Sequence, residues 1–196
     1  NTLYRNYGAG TSKSKEDLGT EYTLDLLEKY QLTDDDMFRA FDYCKQKGII
    51  PLCTPWDMIS LQKLERFGMS AYKVASADLT NHQLLTELMK TNKPLLCSSG
   101  MSSESEIAAS IRLLKSQNIP FVLLHCNSTY PTPIKDINLN YMARLKKMGA
   151  DLIGYSGHER GFHVPIAAVA KGARVIEKHL TTDRNMEGND HKVSLL

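Results

Sequence analysis

Short apolar runs recur along the chain from residue 49 onward, and stretches with helical patterns separate them. Each run is apolar at consecutive positions instead of at every second one, which is typical of strands buried on both faces. Alternation of such strands with helices predicts a parallel sheet wrapped by helices, an α/β fold. The six runs are IIPLC (49–53), AYKVA (71–75), KPLLC (93–97), PFVLLHC (120–126), DLIGY (151–155) and ARVIE (173–177).

The stretches outside the runs carry helix signals. Residues 103–117 begin with Ser103 and Glu106 at the spacing of a capping box, and apolar residues follow at helical intervals. Residues 34–47 place apolar side chains on one face, and Gly48 then predicts the end of that helix. Both segments are predicted as helices.

Six strand–helix units fit either a doubly wound open sheet or a (βα) barrel. Polar groups follow every run at its C-terminal end, and in a barrel all these ends face one mouth. An open sheet collects its site at one switch point, and the chain has no GxGxxG turn to indicate a dinucleotide fold. The polar groups therefore favour a TIM (βα)8-type barrel. They are TPWD (54–57), Ser76 to Asp78, SSGM (98–101), NSTYP (127–131), SGHE (156–159) and Lys178 with His179.

The predicted barrel is incomplete. A (βα)8 barrel needs eight strands and about 250 residues, whereas this chain has 196 residues. The first 48 residues show helical patterns at 21–30 and 34–47 and no convincing strand. We therefore interpret residues 1–196 as one partial barrel domain that holds strands 3–8. An open remnant would expose two sheet edges. We therefore expect either that something else completes this fragment or that the sequence omits part of the natural chain.

Composition narrows the class of protein. The formal net charge is +2 with both signs mixed along the chain, so the clustered basic surface of a nucleic-acid-binding protein is not expected. No apolar run approaches the roughly 20 residues of a membrane span, and the N-terminus lacks the apolar core of a signal peptide. We expect a cytoplasmic protein. Its cysteines, none in a CxxC pair, are expected as reduced buried thiols instead of disulfides or a metal cluster: Cys44, Cys53, Cys97 and Cys126.

Four serines follow successive strand runs. Small hydroxyls beside free backbone N–H groups at barrel strand ends suit phosphate oxygens. Lys73 and Lys178 can add positive charge to the same anion. The alternative is that these serines only cap the helices that follow. The four are Ser76, Ser98, Ser128 and Ser156.

Two histidines end what would be adjacent strands. His158 and His179 would lie on strands about 4.8 Å apart, so both imidazoles can reach one divalent ion and leave positions open for substrate. The alternative is a pair of hydrogen-bonded histidines at the barrel mouth. Asp190 and His191, on the loop after the last run, can fold over that mouth.

The other histidines have simpler interpretations. His125 lies inside an apolar run and is expected to be a hydrogen-bonded core residue. His82 and His163 lie on helical segments, where surface or packing roles are expected.

Taken in order, these motifs resemble the sialic acid synthase family, whose members condense phosphoenolpyruvate with N-acetylmannosamine or a related sugar. The resemblance runs from about residue 35 to the end. It implies a (βα)8 barrel with a divalent metal, Mn²⁺ or Mg²⁺. The segments that carry it are TPWD, KVASADLTN, KPLLCSSGM, LLHCNSTYP, IGYSGHERG and AAVAKGARVIEKHLTTDRNMEGNDHKVSL.

The resemblance also implies residue roles. Metal ligands are expected at His158 and His179, and catalytic groups at Lys73 and Asp190. Asp78 replaces the Glu more usual in bacterial members, and Gly157 replaces an Asp, both as in the animal-type branch. These two changes bear on the choice of sugar. The implied substrate-binding residues are Ser76, Asp78, Ser98, Ser128 and Ser156 with Tyr130, of which Tyr130 falls, with Asp190, on a position facing the sugar.

The implied reaction joins C3 of phosphoenolpyruvate to the sugar aldehyde, adds water at C2 and releases phosphate by C–O cleavage. Family members also use a Glu from the first strand, a Lys and a Gln from the second, and an Arg from a C-terminal antifreeze-like domain of the dimer partner. Since this chain has none of these, residues 1–196 alone are expected to be inactive and the full-length protein to be a homodimer.

Other functions remain open from the sequence. Legionaminic and pseudaminic acid synthases share the phosphoenolpyruvate half of the reaction and differ at the sugar. A Schiff-base aldolase would use Lys73 or Lys178 as its nucleophile. A barrel remnant can also bind a sugar phosphate or a partner protein without catalysis.

Overall fold

The computed structural model describes residues 28–196. The chain divides into two compact units, residues 1–49 and 50–196. In the first unit, α1 (Asp34–Gln46) confirms the helix predicted at 34–47, and the Thr33 side chain caps it by accepting from the backbone N–H of Asp36. Of the helix predicted at 21–30, only residues 28–30 lie inside the described range, and these three are helical.

The second unit is built on a parallel sheet of five strands. Neighbours in the sheet are also neighbours in the chain, as in a (βα) barrel. The strands are β1 (Tyr72–Val74), β2 (Leu95–Ser98), β3 (Phe121–Cys126), β4 (Leu152–Gly157) and β5 (Val175–Lys178). The helices are α2 (Met58–Phe67), α3 (His82–Lys90), α4 (Glu104–Ser116), α5 (Tyr141–Lys147), α6 (His163–Ala170) and α7 (Asn189–Val193), and single 3₁₀ turns occupy Ser76–Asp78 and Ile134–Asp136.

The prediction of six strands is not confirmed, because the described residues form five. The first predicted run, residues 49–53, contributes a single parallel bridge between Cys53 and Tyr72. Pro51 lies in the middle of this run and has no N–H to donate to a ladder. A segment of this kind pairs with an edge strand at one point without extending the sheet.

The sheet is strongly curled. Lys73 on β1 and Glu177 on β5 belong to the two outermost strands, yet Lys73 Nζ lies 3.4 Å from Glu177 Oε2. Four strand spacings of about 4.8 Å would separate these strands by roughly 19 Å in a flat sheet, farther than two side chains can span. The concave face of the sheet therefore encloses polar side chains in the manner of a barrel interior.

The helices are held on the sheet by apolar side chains and begin at specific caps. The capping box predicted at the start of α4 is present, with Ser103 and Glu106 each bonding the other's backbone N–H. Asn81 caps α3 in a simpler way. The apolar side chains buried beneath these two helices include Leu84, Leu85, Leu88 and Met89 of α3 with Ile107, Ile111 and Leu114 of α4.

One predicted feature of the last strand is wrong. β5 was expected to be buried on both faces, but all four of its residues are half-buried. Within residues 28–196, β5 pairs with β4 alone, so its second edge is open. None of the helices in this range combines the length and apolar character that a bilayer span requires.

Candidate active site

The polar residues predicted at the strand ends gather at the C-terminal end of the curled sheet. Lys73 on β1 contacts several of the groups on that side of the site. Its ammonium donates to Ser98 Oγ at 2.8 Å and to the carbonyl oxygen of Val74 at 2.9 Å. It faces Glu177 Oε2, a buried oxygen with no hydrogen-bond partner among the described residues. Ion-pair distance without a hydrogen bond leaves this carboxylate oxygen free to accept from a ligand.

Serine hydroxyls line a small space around Gly100. The Gly100 N–H donates to Ser76 Oγ at 3.1 Å. A methyl group placed on Gly100 would lie 2.6 Å from Ser128 Oγ and 3.0 Å from Ser76 Oγ. We call this space the anion cradle. It joins hydroxyls from the loops after β1 and β3, and hydroxyls of this kind can donate to an oxyanion.

The floor of the site is a buried thiol. Ser76 Oγ donates to Cys126 Sγ at 3.6 Å, and the Ser156 side chain also hydrogen-bonds this thiol. Burial raises the pKa of Cys126, so it stays protonated. The alternative role for the four serines is not seen, because other residues occupy the N-cap positions of the helices that follow. Those cap positions are Asn81, Ser103, Asn140 and Phe162.

His158 and His179 meet, as predicted from their adjacent strands. Their ring centroids are 5.4 Å apart. His158 Nδ1 lies 2.6 Å from the carbonyl oxygen of Asn127, which can only accept, so Nδ1 carries the proton. The Nε2 atom of His158 is then the acceptor, and the Tyr130 hydroxyl donates to it at 2.8 Å. The Tyr130 ring also stacks on the His158 ring, with centroids 3.9 Å apart.

Both imidazoles are held in the neutral form. Burial lowers the pKa of His158, and the hydrogen bond to the Asn127 carbonyl opposes the shift only in part. Burial also lowers the pKa of His179, although Asp190, whose carboxylate lies 3.9 Å from His179 Nδ1, pulls in the other direction. Burial likewise raises the pKa of Tyr130 to about 12, so its hydroxyl remains a donor.

The imidazole pair suits an open metal site. Neutral imidazole is the form that binds metals, and a ligating His commonly donates its second N–H to a carbonyl, as His158 does. Within residues 28–196 no group of three or more His, Cys, Asp or Glu side chains is arranged to hold an ion. An ion between His158 and His179 would therefore keep most of its positions for water or substrate, and the Tyr130 hydroxyl would have to leave Nε2.

Lys178 does not lie in the mouth, and the expectation that it binds the same anion as Lys73 is wrong. Its side chain is 6% exposed and bonds Gly157 and Glu159 instead. Successive residues of a strand point to opposite faces, so Lys178 points away from the face that carries Glu177 and His179. The same burial contradicts Lys178 as a Schiff-base nucleophile.

Asp78 and His191 have identifiable partners. Asp78 Oδ1 accepts from the side chain of Asn81 at 3.1 Å, while its Oδ2 is buried with no hydrogen-bond partner among the described residues. That free oxygen is compatible with the predicted substrate role. His191 Nδ1 lies 2.7 Å from Thr181 Oγ1, which ties the last loop to itself.

The remaining histidines behave as expected. His125 is buried, and its Nε2 lies 2.6 Å from the carbonyl oxygen of Ile137. His82 packs between helices, with its Nε2 3.2 Å from Ser110 Oγ. His163 stacks on Phe162 at the surface.

Two groups in the site were not among the predicted site residues. Glu177 precedes His179 by two positions on one strand, and alternation along that strand was the signal that both face the interior. Gly100 lies in the SSGM motif, but its closeness to Ser128 depends on the packing of two separate loops. No local pattern reports that distance.

This arrangement defines a class: a parallel α/β protein whose polar site lies at the C-terminal strand ends and combines an anion cradle with two neutral imidazoles. The sequence profile of the NeuB family matches residues 1–196. The chain is 39% identical over 180 residues to N,N'-diacetyllegionaminic acid synthase of Campylobacter jejuni, covering 89% of this chain and 53% of the relative. It is 35% identical over 162 residues to human N-acetylneuraminate-9-phosphate synthase, covering 82% and 45%.

A solved structure gives the same result. The chain matches the sialic acid synthetase of Leptospira borgpetersenii with a TM-score of 0.85 and 34% identity, covering 92% of this chain and 64% of that one. The chain belongs to the NeuB family. It spans about half the length of the curated relatives it matches.

Proposed function

We propose that this chain carries the phosphoenolpyruvate-binding and aldehyde-binding part of a nonulosonic acid synthase. In the full-length protein, phosphoenolpyruvate, an acyl-amino sugar and water would give a nine-carbon sugar acid and phosphate. The observation that carries the proposal is the meeting of two neutral imidazoles, His158 and His179, beside the cluster formed by Lys73 and the serines. NeuB relatives named as sialic and legionaminic acid synthases support the reaction class.

The anion end of the site suits phosphoenolpyruvate. Lys73 would neutralise part of the substrate charge. Ser128 would donate to the substrate oxygens from one side of the cradle, and Ser76 would donate from the other side after its hydroxyl turns away from Cys126 Sγ. Such preorganised donors contribute through positioning and electrostatics. Glu177 would orient the Lys73 ammonium. The Oε2 atom of Glu177 can also hold a water molecule close to the reacting carbons, where water must add.

The imidazole end suits the aldehyde. Mn²⁺ or Mg²⁺ held by His158 and His179 would supply Lewis-acid polarisation of a carbonyl oxygen. Tyr130 would move from His158 to a sugar hydroxyl when the site fills. Asp190, 66% exposed beside His179, would bind sugar hydroxyls or carry a proton. Asp78 offers one further acceptor oxygen.

The sugar-facing residues, together with parts of the full-length protein beyond these 196 residues, would determine which sugar binds. N-Acetylmannosamine, its 6-phosphate and the diacetamido sugars used for legionaminic or pseudaminic acid are the candidates. We also expect the full-length protein to complete the barrel and to form a homodimer.

Phosphate release by the full-length protein tests the proposal. We expect release only with both phosphoenolpyruvate and an acyl-amino sugar, and loss of release with EDTA. His158→Ala and His179→Ala should each abolish turnover, with poor rescue by excess Mn²⁺, whereas His163→Ala should retain it. Wild-type rates in either mouth variant would contradict the assigned imidazole pair.

Product analysis with each candidate sugar then identifies the substrate. Borohydride trapping of pyruvate on Lys73 would instead establish a Schiff-base aldolase. Binding of Mn²⁺ by the complete protein without phosphate release from any candidate sugar would favour a non-catalytic binding role.

A further inference from the structure

Lys178 is a buried ammonium with every donor satisfied. Its side chain bonds the carbonyl oxygen of Gly157 at 3.2 Å, the carbonyl oxygen of Glu159, and Glu159 Oε1 at 3.3 Å. An ammonium has three hydrogens to donate, so these three acceptors saturate it. They belong to the last residue of the neighbouring strand β4 and to the turn that follows it.

Glu159 is equally well satisfied. Its side chain is fully buried, with one carboxylate oxygen facing Lys178 and the other accepting from the Tyr155 hydroxyl at 2.6 Å. We call Tyr155, Glu159 and Lys178 the clamp. Its three members come from β4, the turn after β4, and β5.

The clamp brackets the imidazole pair. The two carbonyls bonded by Lys178 belong to Gly157 and Glu159, the residues on either side of His158. Lys178 itself directly precedes His179. One ammonium therefore fixes the backbone at both imidazoles, although its side chain lies on the other face of the sheet.

Gly157 leaves the room that the clamp needs. A methyl group on Gly157 would lie 2.7 Å from Glu159 Oε2 and 2.7 Å from the ring atom Cε1 of Tyr155. Real Cβ atoms essentially never make contacts this short, so one of these groups would have to shift. The Glu159 carboxylate thus fills the space that a side chain at position 157 would take, and the two residues form a matched pair.

Buried ion pairs contribute little net stability, because desolvation of two charges offsets their attraction. Their best-attested use is to fix one geometry. We propose that the Glu159–Lys178 pair is a positioning device that holds His158 and His179 at the separation needed to share one ligand. The proposal rests on the proposed function only for the identity of that ligand.

The test replaces both charges by apolar groups of similar volume, Glu159→Leu with Lys178→Met, in the full-length protein. Such replacements are often neutral for stability, so the variant should fold. We expect Mn²⁺ affinity, measured by electron paramagnetic resonance, to weaken about 10- to 100-fold. We expect kcat to fall while KM for phosphoenolpyruvate stays near wild type. The single variant Lys178→Arg, which keeps the positive charge, should retain most of the wild-type Mn²⁺ affinity and kcat.

A second Tyr–Glu–Lys cluster, more exposed than the clamp, is the control. Glu65 bonds both Lys93 and the Tyr72 hydroxyl near the N-terminal end of the sheet, away from the mouth. The control, Glu65→Leu with Lys93→Met, should leave Mn²⁺ affinity and kcat unchanged. Equal losses in both double variants would show a general packing effect and overturn the proposal, as would wild-type affinity and kcat in the clamp variant.

A second readout separates this inference from the proposed function. Nitrogen-detected NMR of the His158 ring reports whether Nδ1 stays protonated, as the bond to Asn127 requires. The clamp variant should lose this single tautomer even if the wild type binds no Mn²⁺. A fixed His158 ring in the clamp variant would refute the positioning role, whatever the activity.

Discussion

Gly100→Ala fills the anion cradle with one methyl group. Gly100 has an ordinary backbone conformation that alanine adopts without strain, since its φ lies outside the left-handed region. The new carbon would lie 2.6 Å from Ser128 Oγ and 3.0 Å from Ser76 Oγ. At least one hydroxyl must therefore turn away from the cradle.

The expected magnitude follows from the lost hydrogen bond. A hydrogen bond to a charged group is worth about 1.5–3 kcal/mol. Since each 1.4 kcal/mol is tenfold in affinity, loss of one such bond weakens binding roughly 10- to 150-fold. The assay is KM for phosphoenolpyruvate from phosphate release by the full-length protein, together with calorimetric binding of phosphoenolpyruvate.

Ser99→Ala is the matched control. Ser99 is the neighbour of Gly100 and is buried, and its hydroxyl donates to the carbonyl oxygen of Leu124 at 3.1 Å. We expect its KM for phosphoenolpyruvate to stay within about threefold of wild type, because this hydrogen bond lies off the cradle and its loss of about 1 kcal/mol affects the stability of the fold. An unchanged KM in folded Gly100→Ala protein would refute the assignment of the cradle to the substrate anion.

Two further predictions concern charge and pH. Lys73→Met should lower kcat/KM for phosphoenolpyruvate by about 100-fold or more. Because Glu177 is 43% exposed, the loss of folding stability should be smaller than the about 3–5 kcal/mol that breaking a fully buried pair costs. Adding Glu177→Leu should recover stability to urea but not activity, and recovery of activity would contradict the role of Lys73. Burial lowers the pKa of His125 below its usual 6.5, so below about pH 6.5 the unfolded chain binds a proton that the folded chain refuses and the free energy of unfolding falls as pH falls. Urea unfolding at pH 7.5 and 5.5 should show a smaller fall in His125→Gln than in wild type or in the exposed-site control His163→Gln; equal falls would contradict the buried neutral imidazole.

Local signals predicted the elements well. The capping box of Ser103 and Glu106 appears as expected, because both bonds form within one turn of chain. The last five apolar runs became strands for a similar reason, since buried strands need only local hydrophobicity and a neighbour. Pro51 in the first run argues against a strand there, and that run forms only one bridge.

Residues brought together by packing were harder to predict. Lys178 and His179 were assigned to the same site as a pair, but adjacent strand residues point to opposite faces, and only the register shows which one enters the mouth. The closeness of Lys73 and Glu177 depends on the curvature of the whole sheet. Curvature is a property of five strands together, so no window of sequence contains it.

The contact between Lys73 and Glu177 has a consequence for how the protein folds while the ribosome synthesises it. Glu177 follows Lys73 by 104 residues. Lys73 lies in the first strand of the sheet and Glu177 in the last. At about 5–20 residues per second, the ribosome needs roughly 5 to 20 s to supply the carboxylate after the ammonium has been made. A nascent chain therefore cannot form the contact between Lys73 and Glu177 until the last strand of the sheet has been synthesised.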